Sequence, residues 1–186
     1  GLGDVYKRQG ITFDVKGTLK RDTVRRALNV DIAYALHAPS LETVFNMIPE
    51  SVLKRESLEA RGSVKMEGDV KGWYGKQQMP AVTLKVQIDK ASAKYEKLPY
   101  GIDNFTADFY AFVDLMRKQP SYADLKIFHF QGAHTDILAD AKIMNLLEDP
   151  DITFNTKSKV DLTALAQAFP LQEGVTIGGD LEACLL

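Results

Sequence analysis

The sequence has few of the residues that would mark a definite chemistry. Its 186 residues contain a single cysteine, Cys184, and three histidines, His37, His129 and His134. One thiol forms no disulfide within the chain, and the histidines lack the paired spacings of a zinc site. No stretch approaches the roughly 18 consecutive apolar residues of a membrane-spanning helix. We therefore predict no disulfide, no metal site and no spanning helix within this sequence.

An excess of charge of one sign is also lacking. Lysine and arginine total 23 against 25 aspartates and glutamates, a formal net charge of −2. Proteins that bind nucleic acid in general need a basic surface for the phosphate backbone, so that class is not predicted. Hydrophobic residues make up 45% of the chain, which is enough for a folded domain and too much for a disordered segment.

Catalytic constellations are missing as well. The acidic residues Glu148, Asp149 and Asp151 surround Pro150 and are typical of a turn. The pair Gly178-Gly179 lacks the further glycines and the following helix of a phosphate-binding loop, and a bend in a strand explains it better. We therefore predict a protein that is not an enzyme, with no catalytic residue, no cofactor and no metal.

Alternation of apolar and polar residues, the pattern of a half-buried strand, is what the sequence does contain. Because the connections are too short for helical crossovers, the strands should pair antiparallel. We predict a mainly β fold, a large antiparallel sheet with two short helices. The alternating runs cover residues 11–15, 28–36, 58–66, 82–88, 105–115, 125–131 and 137–143.

Apolar residues take helical spacing in two places, which predicts short helices near residues 40–48 and 161–168. Each helix has a capping residue before it, a proline after it, an alternating strand upstream and a glycine-containing strand downstream. This shared order indicates a repeated strand–helix–strand unit, with chance similarity of two amphipathic turns as the alternative. The helix positions are Leu41, Val44 and Ile48 after Ser40 and before Pro49, and Leu162, Leu165 and Phe169 after Asp161 and before Pro170.

The two ends of the sequence look foreign to the rest. Residues 1–9 resemble a peptide translated from a sequencing adapter, and residues 184–186 resemble the start of the matching peptide. We expect both to be non-native tails on an internal piece of a longer protein. Between them, the interpretation is a first β-rich unit at residues 10–97 and a second at residues 98–183.

Eight short motifs follow one another over residues 98–183. They are Leu98-Pro99, Ile102-Asp-Asn104-Phe105, Asn145-Leu-Leu-Glu-Asp-Pro150, Ile152-Thr-Phe154, Lys159-Val-Asp-Leu162, Phe169-Pro-Leu171, Glu173-Gly-Val-Thr-Ile177 and Gly179-Asp-Leu181. In their order and spacing they resemble the conserved C-terminal region of AsmA-family proteins.

This resemblance implies a bacterial envelope protein in the periplasm, tethered to the inner membrane by a helix outside this sequence. It also implies a curved sheet with a hydrophobic groove that passes phospholipid toward the outer membrane, and no catalytic residues. The expected partners are phospholipid, the membrane through that missing segment, and other envelope proteins.

The apolar positions of two long strands are the candidate lipid-facing residues, because four alternating residues span about 20 Å and one leaflet of a bilayer is about 15 Å deep. The alternative is a structural or assembly module of the envelope, with a closed, dry sheet that acts through protein contacts. The two hypotheses differ in whether the apolar face has a protein partner. The candidate residues are Val82, Leu84, Val86, Ile88, Phe105, Phe109 and Val113.

Overall fold

The computed structural model describes residues 2–8, 10–24, 26–45, 58–96, 99–168 and 179–185. They form one ten-stranded antiparallel sheet, open and curved, with two short helices. The predicted fold class is therefore confirmed. The strands are β1 (Leu2–Arg8), β2 (Ile11–Asp22), β3 (Ala27–Ala38), β4 (Leu58–Tyr74), β5 (Ala81–Tyr95), β6 (Ile102–Val113), β7 (Tyr122–Gly132), β8 (Thr135–Met144), β9 (Asp151–Asp161) and β10 (Asp180–Leu185); the helices are α1 (Leu41–Phe45) and α2 (Leu162–Ala168).

The sheet is a meander in which each strand pairs with the next one along the chain. This topology follows from connections that are mostly short turns, which can join only neighbouring antiparallel strands. β5 and β6 pair directly, so the sheet continues without interruption across the boundary between the two units expected from the sequence. β1 and β10 form the two open edges.

The edge strand β1 does not follow the pattern of the other strands. Its backbone pairing sets position 4, an aspartate, opposite Val15, and position 8, an arginine, opposite Ile11. An open edge presents unpaired N–H and C=O groups that pair with any extended segment, whatever its side chains. The residues expected to be foreign tails thus take part in the sheet as β1 and, at 184–185, as the end of β10.

The strand expected over residues 105–115 ends earlier, at Val113. Asp114 is buried, and its carboxylate accepts hydrogen bonds from the backbone amides of Met116, Lys118 and Gln119 at 3.0–3.1 Å. Aspartate side chains that bond nearby amides in this way compete with strand pairing and form turns. Leu115 therefore lies in the β6–β7 loop, and its place in the predicted strand was wrong.

Both helices lie at the same end of the sheet, because α1 follows β3 and α2 follows β9, two strands that run in the same direction. The predicted cap of α2 is confirmed: Asp161 Oδ1 accepts a hydrogen bond of 2.8 Å from the amide of Ala164. Ile48, Pro49, Phe169 and Pro170 lie outside the described residues.

The packing of α2 differs from the expected face of Leu162, Leu165 and Phe169. Its buried residue is Ala164, which packs with Ala133 of the β7–β8 turn, while Tyr100 and Leu165 cover the pair partly. A small side chain lets the helix approach that turn closely, and the apolar spacing of larger residues did not mark it. Leu162 is half-buried, as are Leu41 and Val44 of α1.

Candidate functional site: the apolar face

The strand register decides which side chains share a face, because directly paired residues of antiparallel strands point the same way. Val86 pairs with Met66 of β4 on one side and with Phe109 of β6 on the other. Val82 likewise pairs with Val113. The register therefore brings all seven candidate residues onto one face, since Leu84, Ile88 and Phe105 occupy the matching positions of the same strands.

This face, called the apolar face below, extends over nine strands from β2 to β10. Among the paired strand positions from β3 to β10 it holds no Asp, Glu, Lys, Arg or His, and Arg21 at the end of β2 is its one charged position. Residues on it beyond the predicted set include Phe13, Ile32, Leu36, Met66, Phe128, Phe130, Ile137, Phe154 and Leu181.

No second layer covers the apolar face within the described part of the chain. No large side chain there is fully buried, and the seven candidate residues are half-buried. Toward the β10 edge, Ile152, Phe154 and Leu181 are 58%, 54% and 53% exposed. Of the described elements, α1 contacts chiefly β3 and β4, and α2 contacts β9 and β10. Within the described part of the chain, the side chains of this face are therefore shielded from water mainly by their neighbours on the same face.

Aromatic packing within the face is an example of this contact between neighbouring side chains. Phe105 of β6 and Phe128 of β7 meet edge to face, with ring centroids 5.4 Å apart and an angle of 77° between the planes. Such pairs stabilise a sheet beyond the simple loss of exposed area. Sequence reasoning missed Phe128 and Phe130, although their alternation was visible, because only the register shows which of the two faces a strand contributes.

One tyrosine joins the apolar face to the backbone of the sheet. Tyr34 of β3 lies across Gly68 of β4, and its hydroxyl donates a hydrogen bond of 2.7 Å to the carbonyl oxygen of Thr83 in β5. The amide of Asp69 instead donates to Thr83 Oγ1 at 2.8 Å, and that hydroxyl donates to Asp69 Oδ2 at 2.7 Å. Burial, and then the charge of Asp69, raise the pKa of Tyr34. These bonds link β3, β4 and β5, and the hydroxyl of Tyr34 has a hydrogen-bond partner.

The opposite face carries the charges. It holds a shallow cavity of about 510 Å³ lined by acidic and basic residues in similar number. Lys85 lies 3.6 Å from Glu67, and Lys71 lies 3.5 Å from Asp69. Exposed pairs of this kind contribute little and serve mainly to keep a surface solvated. No group of three or more potential metal ligands occurs among the described residues.

The histidines belong to this polar surface and to a turn. His129 Nε2 lies 3.0 Å from Asp136 Oδ1, and His134 Nδ1 lies 3.4 Å from Asp161 Oδ2. A hydrogen bond from Gln131, followed by the bond and charge of His129, lowers the pKa of Asp136. The two pairs lie apart from the apolar face.

Comparison with known proteins identifies no relative of this chain. No family model matches the chain, and no curated protein or solved structure is significantly similar to it. Neither described helix is long and apolar enough to cross a membrane. The resemblance to the AsmA family stays a prediction that depends on the short motifs of residues 98–183.

Proposed function

We propose that this chain is a non-enzymatic segment of an AsmA-like envelope protein, whose apolar face carries the acyl chains of phospholipids between the inner and outer membranes. One observation supports the proposal above all others: the face is free of charged residues from β3 to β10, and no described residue forms a layer over it.

An uncovered apolar face of this extent is costly in water. Removing apolar surface from water contributes about 25 cal/mol per Å², and monomeric soluble proteins rarely expose apolar patches beyond a few hundred Å². Acyl chains are suitable occupants because each methylene group that leaves water contributes about 0.8 kcal/mol. They also require no specific hydrogen-bond partners, and the face offers almost none.

The dimensions agree with an occupant of this kind. Neighbouring strands lie about 4.8 Å apart, so the nine strands from β2 to β10 form a band about 40 Å long. An acyl chain is about 15 Å long, the depth of one leaflet, and fits across or along this band. A phosphate headgroup would remain in water beyond the strand ends.

The choice of phospholipid, the periplasmic location and the tether to the inner membrane come from the family resemblance alone. They form part of the proposal because four of the eight motifs, at residues 102–105, 152–154, 159–162 and 179–181, lie wholly or partly in β6, β9 and β10, strands that contribute to the same face. No catalytic residue is needed, because transfer along an apolar surface breaks no bond.

A second candidate function is a structural or assembly module that binds another envelope protein. The strong exposure of Ile152, Phe154 and Leu181 beside an open sheet edge favours it, since a partner could cover these residues and extend the sheet together. In that case the apolar face would be dry and filled by protein side chains.

A matched pair of substitutions tests the proposal. Phe109 and Phe112 lie on the same strand but on opposite faces, because Phe109 pairs with Val86 and Phe112 pairs with Thr83. We expect Phe109→Asp to fold and to lose bound phospholipid, and Phe112→Asp to keep it. The measurement is lipid extraction and mass spectrometry of the purified full-length proteins, with circular dichroism as the check on folding.

Two results would contradict the proposal. If Phe109→Asp fails to fold while Phe112→Asp folds, the apolar face is a closed core in which an unpaired carboxylate costs several kcal/mol. If both variants fold and bind as much phospholipid as the unsubstituted protein, the lipid does not lie on this face.

A further inference from the structure

The end of the sheet opposite α1 and α2 carries three neighbouring connections, β2–β3, β4–β5 and β6–β7. Together with the adjoining strand ends, residues 20–26, 74–80 and 114–121 are called the basic rim below. The first two connections touch each other, since a Cβ atom added to Gly75 would lie 3.2 Å from the Cβ of Ala27. The first two connections therefore form one surface, and the β6–β7 connection is the next one along the same end of the sheet.

Exposed cations dominate this surface. Six of the rim's described residues are lysines or arginines, and all six are exposed. Two of them, Arg26 and Arg117, have left-handed backbone conformations with φ of 50° and 54°, which belong to tight turns. The six are Lys20, Arg21, Arg26, Lys76, Arg117 and Lys118.

The two carboxylates of the rim serve the backbone. Asp22 Oδ1 accepts a hydrogen bond of 2.9 Å from the amide of Val24. The buried Asp114 accepts three backbone amides of its own loop, and its amide donates to Ser121 Oγ at 2.8 Å. These bonds define the shape of the turns, and the described rim has six cations against two carboxylates.

Apolar side chains stand among the cations at the tips of the same turns. Val24, held by the Asp22 turn, is 92% exposed, Leu115 is 53% exposed and Met79 is 44% exposed. None of the three belongs to a strand, so the pleat of the sheet does not explain their exposure. Each connection of the rim thus offers one apolar residue with cations close by.

The opposite end of the sheet lacks this combination. Its described connecting residues, counted without the adjoining strand ends, carry Glu42 and Glu96 and no lysine or arginine, against Arg26, Lys76, Arg117 and Lys118 in the described connections of the rim. At the rim's own end, the β8–β9 connection is acidic, with Glu148 and Asp149 exposed. Among the described residues, the basic surface therefore belongs to one end and to three adjacent connections.

We propose that the basic rim docks on the surface of a membrane that contains anionic phospholipid, with its cations among the headgroups and Val24, Met79 and Leu115 inserted below them. A lysine or arginine near an anionic leaflet gains about fivefold in affinity, and exposed apolar side chains add to this by entering the interface. An acidic protein surface would use the cations but would leave three apolar tips in contact with charge. This inference does not depend on the proposed lipid transfer, because the inserted residues are not part of the apolar face.

Vesicle co-sedimentation of the full-length protein tests the charges. We expect binding to phosphatidylcholine vesicles that contain phosphatidylglycerol, weaker binding at high salt, and little binding to phosphatidylcholine alone. Arg117→Glu with Lys118→Glu should lower the affinity at least about tenfold. The control, Lys65→Glu with Lys157→Glu, makes the same change in net charge at exposed strand positions away from the rim and should have little effect. Equal loss in both pairs, or equal binding to both vesicle types, overturns the proposal.

A second pair of substitutions tests insertion without altering charge. Val24→Ser with Leu115→Ser should lower vesicle affinity roughly tenfold, since two exposed apolar groups no longer enter the interface. Circular dichroism should be unchanged, because neither residue lies in a strand. Unchanged vesicle affinity would show that charge alone holds the rim on the vesicle, which overturns the insertion of these apolar residues. Lipid extracted from the apolar face is measured separately, so the failure of either proposal is recognised independently.

Discussion

The two faces of the sheet are built from alternate residues of the same strands, yet they differ in more than polarity. On the polar face charges occur on most strands and in exposed pairs such as Lys85–Glu67, while the apolar face has no charged residue from β3 to β10. Any half-buried strand alternates in this way. What distinguishes this molecule is that the alternation stays in phase across nine strands and leads to a face that no described residue covers with a second layer.

Gly68 lies where the Tyr34 side chain reaches the Thr83 carbonyl oxygen of β5. We expect a substitution there to have the largest effect on stability. An added Cβ would overlap the carbonyl oxygen of Thr83 and lie 2.5 Å from the Tyr34 hydroxyl. Because backbone cannot move as a flexible side chain can, we expect Gly68→Ala to lower the free energy of unfolding by about 2–3 kcal/mol in urea titrations. A loss below about 0.5 kcal/mol would show that the strands separate easily at this point.

Two adjacent residues of β8 lie on opposite faces of the sheet. Ile137 lies on the apolar face between Phe130 and Ser158, and Leu138 lies on the polar face between His129 and Lys157. We expect Ile137→Asp to cost about 2 kcal/mol, since a half-buried apolar side chain is lost while water still reaches the carboxylate. Leu138→Asp should stay within about 0.5 kcal/mol, because the exposed side chain gains a basic neighbour.

Chemical denaturation of both β8 variants measures this difference. Similar losses for Ile137→Asp and Leu138→Asp would remove the distinction between the faces. A loss above about 4 kcal/mol for Ile137→Asp alone would indicate a closed core, where an unpaired charge has no access to water.

Removing the hydroxyl oxygen of Tyr34 tests its bond to the backbone of β5. Tyr34→Phe keeps the ring across Gly68 and deletes the hydroxyl that bonds the Thr83 carbonyl. We expect a loss of about 1 kcal/mol in the free energy of unfolding, since that carbonyl is left without its partner. The control is Tyr74→Phe, where a side chain at an exposed strand end loses the same atom and should cost almost nothing. Equal effects at both positions would contradict the strand tie.

The smallest expected effect concerns the pH dependence of the polar face. The lowered pKa of Asp136 means that its stabilising contribution is fully present above the ordinary aspartate pKa of about 3.9 and is lost as the pH falls through the lower folded-state value. Solvent screens this exposed carboxylate, so Asp136→Asn should cost only about 0.3 kcal/mol at neutral pH. Thermal denaturation should show the variants converging in acid, and a gap that widens in acid would contradict the assignment.

Most of the apolar face was predictable from alternation. A strand whose residues 82, 84, 86 and 88 are all aliphatic must present them to one side, whatever its neighbours are. The short connections then make neighbouring strands antiparallel, which brings Val86 beside Phe109. Helix positions were also predictable, because Asp161 combines a capping side chain with the apolar spacing that follows it.

The features that sequence reasoning missed depend on contacts between distant residues. The bond from Tyr34 to Thr83 spans 49 residues, and nothing in the local pattern links them. Asp114 was assigned to a strand because its neighbours alternate, but its carboxylate bonds three amides of the following loop. The basic rim was hidden for the same reason, since its cations come from three separate connections that only the sheet brings together.

Site-specific photo-crosslinking in cells distinguishes lipid from protein as the cover of the apolar face. A photoreactive residue would replace Val86 on the apolar face or, as the control, Lys85 on the polar face of the same strand. We expect phospholipid adducts at position 86 and none at position 85. Protein adducts at position 86 without phospholipid, or phospholipid adducts in equal amount at both positions, would contradict it.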